Sequence, residues 1–252
     1  LEQHAKDLFS KQSKEYAASR PTYPKALFDY ILGMTKQRKL AWDCATGNGQ
    51  AAVVLSNYFE QVVASDISAK QLENAQRRDN IRYEIFPAEN SPLREDSIDL
   101  VTVAQALHWF DFDRFYSEVS RVLRKKSGVL AAWSYGLHSV SSEVDAITHE
   151  LYEDVLGRFW PIERKYVEAK YETIPFPFKQ FVVPEFRIEL ELDSMSLINY
   201  IYTWSSVQKF IEKNNRDPVK EFVSLIQEAW GEKDQRRKVV WPLYVKVGRP
   251  LP

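Results

Sequence analysis

Hydrophobic and polar positions follow two alternating periods from about residue 25 to residue 135. Short apolar runs at 40–44, 62–65, 81–86, 98–104 and 129–134 have strand length. The stretches between them carry apolar residues at helical spacing, as in Phe112, Phe115, Val119, Val122 and Leu123 within 111–124. The pattern predicts helices at 23–34, 48–58 and 111–124, and another begun by Ser68 with Gln71 completing a capping box. Run 98–104 is apolar almost throughout, as a strand covered on both faces of a parallel sheet must be. Alternation of this kind predicts an α/β fold with a doubly wound sheet and a site at the carboxyl ends of the strands.

Beyond Tyr135 the pattern changes. An amphipathic helix is expected over 143–159, followed by the proline and aromatic stretch Tyr171-Glu172-Thr173-Ile174-Pro175-Phe176-Pro177-Phe178. Residues 137–185 therefore read as a cap or lid inserted into one domain spanning 1–252, with residues 1–24 as an N-terminal segment over the site. Strict alternation at 186–192 predicts a half-buried strand. Two helices and a last strand at 243–247 are expected after it. Pro242, which has no N–H for a ladder, should mark the beginning of that strand.

Composition narrows the class. With 252 residues, 44% of them hydrophobic, the chain can bury one large core or a core with an appended cap, which excludes collagenous and disordered proteins. A net charge of −1 gives no field for steering polyanions, so no nucleic-acid partner is expected. The basic clusters at 36–39, 121–126 and 236–238 fall where helices should end. The single cysteine excludes an internal disulfide framework and fits a reducing, cytoplasmic setting, with Cys44 as a small core residue. No run approaches the roughly 18 to 20 apolar residues of a membrane span, so no membrane partner is expected either.

The most informative stretch is Asp43-Cys44-Ala45-Thr46-Gly47-Asn48-Gly49-Gln50, which joins the first strand to a helix through a turn with two glycines. Without Cβ atoms, Gly47 and Gly49 let a ligand approach the main chain. Asp66 ends the next strand, 19 residues past Gly47, where a carboxylate can grip a ribose. The spacing fits a dinucleotide and equally a nucleoside cofactor without phosphates.

The order of this loop, Asp66, then Ala88-Glu89-Asn90-Ser91-Pro92-Leu93, Ser97-Ile98-Asp99-Leu100 and Ala104-Gln105-Ala106-Leu107-His108-Trp109 resembles the class I S-adenosylmethionine-dependent methyltransferases. Tyr16-Ala17-Ala18-Ser19-Arg20-Pro21-Thr22-Tyr23-Pro24, Tyr202-Thr203-Trp204-Ser205 and Trp241-Pro242-Leu243 extend the likeness to the trans-aconitate methyltransferase-like branch. The resemblance implies a seven-stranded sheet with an antiparallel last strand. It implies S-adenosyl-L-methionine as cofactor, with Tyr16, Asp43, Ala45, Thr46, Gly47, Asn48 and Gly49 around its methionine part. Asp66 would accept the ribose hydroxyls, Ile67 would cover the adenine, and Ala88 and Glu89 would meet its edge, Glu89 being equally suited to capping a loop. Gln105 and Trp109 would lie under the sulfonium. Ala45 departs from the family's usual glycine and is harmless there if its φ is negative.

The resemblance further suggests a small-molecule acceptor, a carboxylic acid being one choice. An ionised carboxylate needs a cation, for which Arg20 is the candidate; a hydroxyl needs a base, for which His108 is available. Residues 137–185, with Tyr202 and Trp204, should line the acceptor side. Tyr166-Val167-Glu168-Ala169-Lys170 matches the Y-x-x-x-K spacing of short-chain dehydrogenases but reads as an exposed helix. His149-Glu150 lacks the second histidine of a zinc motif, so no metal is expected. Two other readings stay open: an NAD(P)-dependent oxidoreductase of similar topology, and a cofactor-binding protein without turnover. Oligomeric state has no signature in the sequence.

Overall fold

A computed structural model describes residues 20–232 and 235–251. Helix α1 (Lys25–Met34) leads into strand β1 (Leu40–Cys44), and α2 (Gln50–Leu55), β2 (Gln61–Ser65), α3 (Ala69–Glu73) and β3 (Ile81–Glu84) follow. The chain then returns to the other side of β1 as β4 (Leu100–Ala104), α4 (Phe112–Val122) and β5 (Val129–Tyr135). The second half contributes α5 (Ser142–Glu150), α6 (Arg164–Glu168), β6 (Lys179–Gln180), β7 (Phe186–Leu192), α7 (Ser194–Tyr202), α8 (Ser205–Asn214), α9 (Lys220–Trp230) and β8 (Arg237–Arg249).

The sheet follows a path of seven strands, β3-β2-β1-β4-β5-β8-β6, with β7 pairing β8 beside β6. Strands β1 to β5 pair in parallel and β8 runs antiparallel to β5. The chain moves outward from β1 through β2 to β3 and then reverses to β4, so the β1 and β4 ends diverge and leave a crevice between them.

Alternation along each strand builds two apolar layers. Ala41, Val62, Leu100, Val129, Ala131 and Trp133 face the layer shared with α1, α2, α5, α7 and α9. Trp42, Cys44, Val63, Val101, Val103, Leu130 and Ala132 face the layer filled by Phe115, Val119 and Val122 of α4 and by Tyr171 and Phe178 of the 137–185 region. Both faces are covered, which is why β4 reads as continuously apolar.

Several local expectations are corrected. Ser68 occupies the N-cap of α3 but makes no side-chain cap bond; its N–H donates to Asp66 Oδ1 instead, at 2.9 Å. The helix expected over 143–159 ends at Glu150 and continues as a π turn, Leu151–Val155, and a 3₁₀ turn, Gly157–Phe159. There the Trp160 indole N–H captures the Tyr152 carbonyl at 3.1 Å. Three helices, not two, precede β8. The Thr203 hydroxyl donates to the Tyr200 carbonyl at 2.6 Å and ends α7 without a glycine or proline to signal the break. Strand β8 begins at Arg237, so Pro242 lies inside it. The ladder with β5 stops at Tyr135↔Leu243, and an extra residue intervenes before the Ser139↔Val240 bridge, so the missing donor falls at a bulge. Val167 is buried in the apolar layer, so helix α6 is not the exposed segment expected.

One buried carboxylate fixes the start of this arrangement. Asp99, 1% exposed, accepts the N–H groups of Lys39 (2.9 Å) and Leu40 (3.0 Å) and pairs with Arg124 Nε (2.7 Å). It thereby joins the entry to β1, the approach to β4 and the end of α4. Asp99→Ala would leave two N–H groups without an acceptor and remove the ion-pair partner of Arg124, whose Nη1 keeps only the Asp96 carbonyl, and should cost about 3 kcal/mol. Urea denaturation of the variant should show a lower midpoint with an unchanged slope; an unaltered midpoint would contradict this role.

Candidate functional site

The loop after β1 is built around Asp43. Its Oδ2 accepts the Thr46 hydroxyl at 2.5 Å and the Ala52 N–H at 3.0 Å, and its Oδ1 accepts the Thr102 hydroxyl at 2.7 Å. Burial raises its pKa to about 6 despite these three bonds. Asp43 thus holds the loop from behind, and its carboxylate has no face on the cavity described below. Three loop residues have left-handed backbone: Ala45 (φ 53°), Gly47 (58°) and Gly49 (85°). The positive φ at Ala45 overturns the condition under which alanine there would be harmless. A Cβ on Gly49 would also stand 2.5 Å from the Tyr83 hydroxyl.

Asp66, just past the end of β2, is tied to the same loop. Its Oδ2 accepts the Gly47 N–H and its Oδ1 the Ser68 N–H, both at 2.9 Å. Burial raises its pKa, and the backbone donors oppose that shift. Each carboxylate oxygen retains a further acceptor position.

These groups open onto a cavity of about 690 Å³, well within the range of small-molecule sites. Ala45, Thr46, Gly47 and Asn48 line one side, and Asp66, Ile67, Ala88 and Glu89 another. Glu89 Oε1 accepts the Asp111 N–H at 3.1 Å, so the loop-capping role and a place on the cavity coexist. At the opposite end lie Arg20, Gln105, Trp109 and Tyr135. Tyr16 lies outside the described residues.

A second cavity of about 90 Å³ shares that end wall, with Arg20, Gln105, Trp109 and Tyr135 lining both. Its remaining lining includes His108, Trp160, Arg164, Tyr200, Trp204 and Gln208. Arg20 Nη1 donates to the Tyr135 hydroxyl at 2.9 Å and Nη2 to the Thr203 carbonyl at 3.5 Å. Gln105, at φ 61°, receives the Ser134 hydroxyl on Oε1 at 2.9 Å, which aims its Nε2 the other way; that nitrogen is buried and has no partner among the described residues. His108 Nδ1 lies 2.8 Å from the Tyr171 hydroxyl. Burial, with a smaller contribution from the Arg164 charge, lowers the His108 pKa to about 3.

Twelve residues singled out in the sequence converge here: Arg20, Ala45, Thr46, Gly47, Asn48, Asp66, Ile67, Ala88, Glu89, Gln105, His108 and Trp109. Asp43 and Gly49 act from behind. Trp204 lines the small cavity, whereas the Tyr202 hydroxyl turns away to Asp217 Oδ2 at 2.8 Å. Sequence reasoning placed Trp160 and Arg164 only within the 137–185 segment, without singling them out, and missed Tyr135 and Tyr200. Only Tyr135, at the carboxyl end of β5, stood at a position that topology marks; the others reach the site through tertiary packing.

Residues 42–132 match the family described as a methyltransferase domain. A protein of Dictyostelium discoideum named as a methyltransferase is 35% identical over 246 residues, covering 95% of this chain and 93% of that protein. A Saccharomyces cerevisiae protein named as an S-adenosylmethionine-dependent methyltransferase is 35% identical over 133 residues, 49% of this chain and 45% of its own length. A solved structure from Anaeromyxobacter dehalogenans, named for a type II methyltransferase, superposes with a TM-score of 0.85 at 40% identity, covering 92% of this chain and 99% of that one. The chain belongs to the class I S-adenosylmethionine-dependent methyltransferases. That membership implies use of S-adenosylmethionine, and a dinucleotide oxidoreductase reading has no further support.

The left-handed Ala45 carries a testable cost. An L-residue in this conformation loses roughly 1 to 2 kcal/mol, against which glycine gives back about 0.4 to 1 kcal/mol through the unfolded chain. Ala45→Gly should therefore stabilise the protein by about 0.5 to 1 kcal/mol. Thermal or urea unfolding showing a destabilised variant would contradict the strain.

Proposed function

We propose that this methyltransferase acts on an oxygen of a small molecule, and that the acceptor is a carboxylate, as in the trans-aconitate methyltransferase-like branch. The observation that carries this reading is the shared wall of Arg20, Gln105, Trp109 and Tyr135 between a nucleoside-sized cavity and a chamber of about 90 Å³. Such a chamber suits a compact acceptor and leaves no room for a folded polymer.

The residues present fit S-adenosylmethionine. Asp66 is held by two backbone N–H groups with acceptor positions to spare for ribose hydroxyls. Left-handed Gly47 exposes main chain to the cavity beside Thr46 and Asn48, a surface suited to the methionine part. Ile67, Ala88 and Glu89 offer an apolar face and a polar edge for the adenine. When bound, the cofactor supplies an electrophilic methyl carbon on a sulfonium sulfur.

What remains for the chain is binding, orientation and exclusion of water. Arg20, fixed by Tyr135 and the Thr203 carbonyl, supplies positive charge at the shared wall, and Gln105 Nε2 supplies a buried donor that an acceptor oxygen would satisfy. A carboxylate oxygen brings its own electron pair and no proton to be removed. This matters because His108, with its pKa near 3, is a weak base at neutral pH. Tyr135, Leu137, Trp160 and Trp204 line the small chamber beside polar groups of Arg20, Gln105, Arg164 and Gln208, and the 137–185 segment serves as its cap. The class of acceptor is tested by offering the protein S-adenosylmethionine with small acids, phenols, alcohols, a peptide mixture and nucleic acid, and following methyl incorporation by mass spectrometry. Methyl esters of small acids are expected; transfer confined to the polymers would sink the proposal.

Two substitutions test the assignments. Asp66→Ala should weaken S-adenosylmethionine binding by one to two decades, the worth of charge-assisted hydrogen bonds of roughly 1.5 to 3 kcal/mol. Unchanged affinity on titration would reject the ribose assignment. Arg20→Ala should reduce turnover more than His108→Ala, with cofactor affinity measured beside turnover for each. A hydroxyl acceptor relying on His108 would reverse that order, since losing a general base costs on the order of 10²- to 10⁴-fold.

A further inference from the structure

Two residues with left-handed backbone are joined through Ser134 behind the small chamber. Gln105 has φ 61° and Tyr171 has φ 62°, and Lys170, just before Tyr171, has φ 53°. For a bulky aromatic residue this conformation is an outlier, one that persists only where the surroundings over-determine it. Here it turns the chain past the end of α6, where the Tyr171 N–H reaches back to the Tyr166 carbonyl at 2.8 Å. The turn drives the phenol ring to complete burial, 5.9 Å from the His108 ring on the 3₁₀ turn Leu107–Trp109.

The Tyr171 hydroxyl is placed to decide which nitrogen of His108 carries a proton. Its oxygen stands 2.8 Å from His108 Nδ1. Burial raises its pKa, and Ser134 and the main-chain N–H of His108 oppose that rise without cancelling it, so the phenol keeps its proton at neutral pH. The Ser134 hydroxyl proton is engaged by Gln105 Oε1 at 2.9 Å. Between the two partners the phenol is the better donor and the imidazole nitrogen the better acceptor. The bond therefore runs from the Tyr171 hydroxyl to Nδ1. His108 is neutral, burial and the Arg164 charge holding its pKa near 3. A neutral ring that accepts at Nδ1 carries its own proton on Nε2. That nitrogen has no partner among the described residues and is left to the chamber that His108 lines.

We propose that Tyr171 is a positioning residue that locks His108 in its Nε2–H tautomer, and that His108 uses this N–H to bind an oxygen of the acceptor that carries no proton. His108 is then a specificity-determining donor and not the base that a hydroxyl acceptor needs. Ser134 aims Gln105 Nε2 in the same way, by taking Oε1, so two neighbouring buried hydroxyls set two donors on one chamber. This rests on the reading of the small chamber as the acceptor site.

The test uses the full chain with isotopically labelled histidine nitrogens, saturated with S-adenosylhomocysteine, and long-range proton–nitrogen NMR, the His108 signals being assigned by their loss in His108→Gln. At neutral pH Nε2 should carry the proton and Nδ1 should not. In Tyr171→Phe the two nitrogen shifts should move toward each other as both tautomers are populated, a change that a purely packing role for Tyr171 would not produce. Propionate, titrated next, should shift the Nε2 proton downfield. Its dissociation constant should rise about tenfold or more in His108→Leu and much less in His108→Gln, which keeps a donor, while both variants hold S-adenosylhomocysteine as the parent does. A proton on Nδ1, a doubly protonated ring, or shifts untouched by Tyr171→Phe would overturn the tautomer assignment while leaving the acceptor site in place. The expected tautomer with no response to propionate would overturn the reading of the chamber itself, and the role of His108 with it.

Discussion

A carboxylate buried behind a turn is the constraint on which the site depends. Asp43 is 1% exposed and collects Thr46 from the loop, Ala52 from α2 and Thr102 from β4. One side chain thereby sets the spacing between the first strand, its neighbour and the helix that follows. Burial holds its pKa near 6, above the ordinary carboxylate value. Because the folded pKa is the raised one, the stability tied to its protonated form is complete below about pH 4 and is withdrawn as pH rises through about 6. At neutral pH the carboxylate is ionised, and its three donors then make charge-assisted bonds that offset much of the burial cost. The loop is thus held from behind by a group that does not itself line the cavity.

Two of the six non-glycine residues with positive φ among the described residues line the same cavity. Ala45 and Gln105, both with positive φ, stand at the carboxyl ends of neighbouring strands β1 and β4. Neither is glycine, and each orientation does something the extended backbone would not. Ala45 turns the chain so that Gly47 can present its N–H to Asp66. Gln105 is turned so that Ser134 takes its carbonyl oxygen and its amide nitrogen is left as a buried donor at the junction of the two cavities. Strain of this kind persists only where the surroundings over-determine it, and here the parallel ladder of β1, β4 and β5 does so.

The wall of the larger cavity was legible in the sequence because it is local. The loop, its glycines and the acid 19 residues on are set by strand-turn-helix geometry, and the alternation of apolar runs specified a doubly wound sheet, whereas its antiparallel last strand was implied by the family resemblance alone. The wall of the small chamber was legible as a segment, 137–185 with Trp204, and not residue by residue. Trp160 follows the broken helix, Arg164 opens α6, and Tyr200, Trp204 and Gln208 come from α7, the turn after it and α8, with no spacing that links them. The break between α7 and α8 lacks glycine and proline, so two helices read as one. Pro242 misled for a related reason: a bulge set by residues 136–139 absorbs its missing donor, and nothing in β8 itself announces that.

The two cavities are therefore built in different ways. Strands β1, β2 and β4 deliver the groups of the larger cavity from a ladder buried on both faces, where register cannot slip without inverting the core. The small chamber is walled in part by Trp160 and Trp204, tilted rings that pack against each other and, for Trp160, against Tyr152, outside the ladder. Substitutions there change the shape and charge of a small chamber without touching a strand. The shared wall belongs to both systems: Gln105 and Tyr135 sit on strand ends, while Arg20 is held to Tyr135 and, through the Thr203 carbonyl, to the end of α7. Arg20 therefore joins the end of α7 to the strand end that carries Tyr135, at the wall the two cavities share.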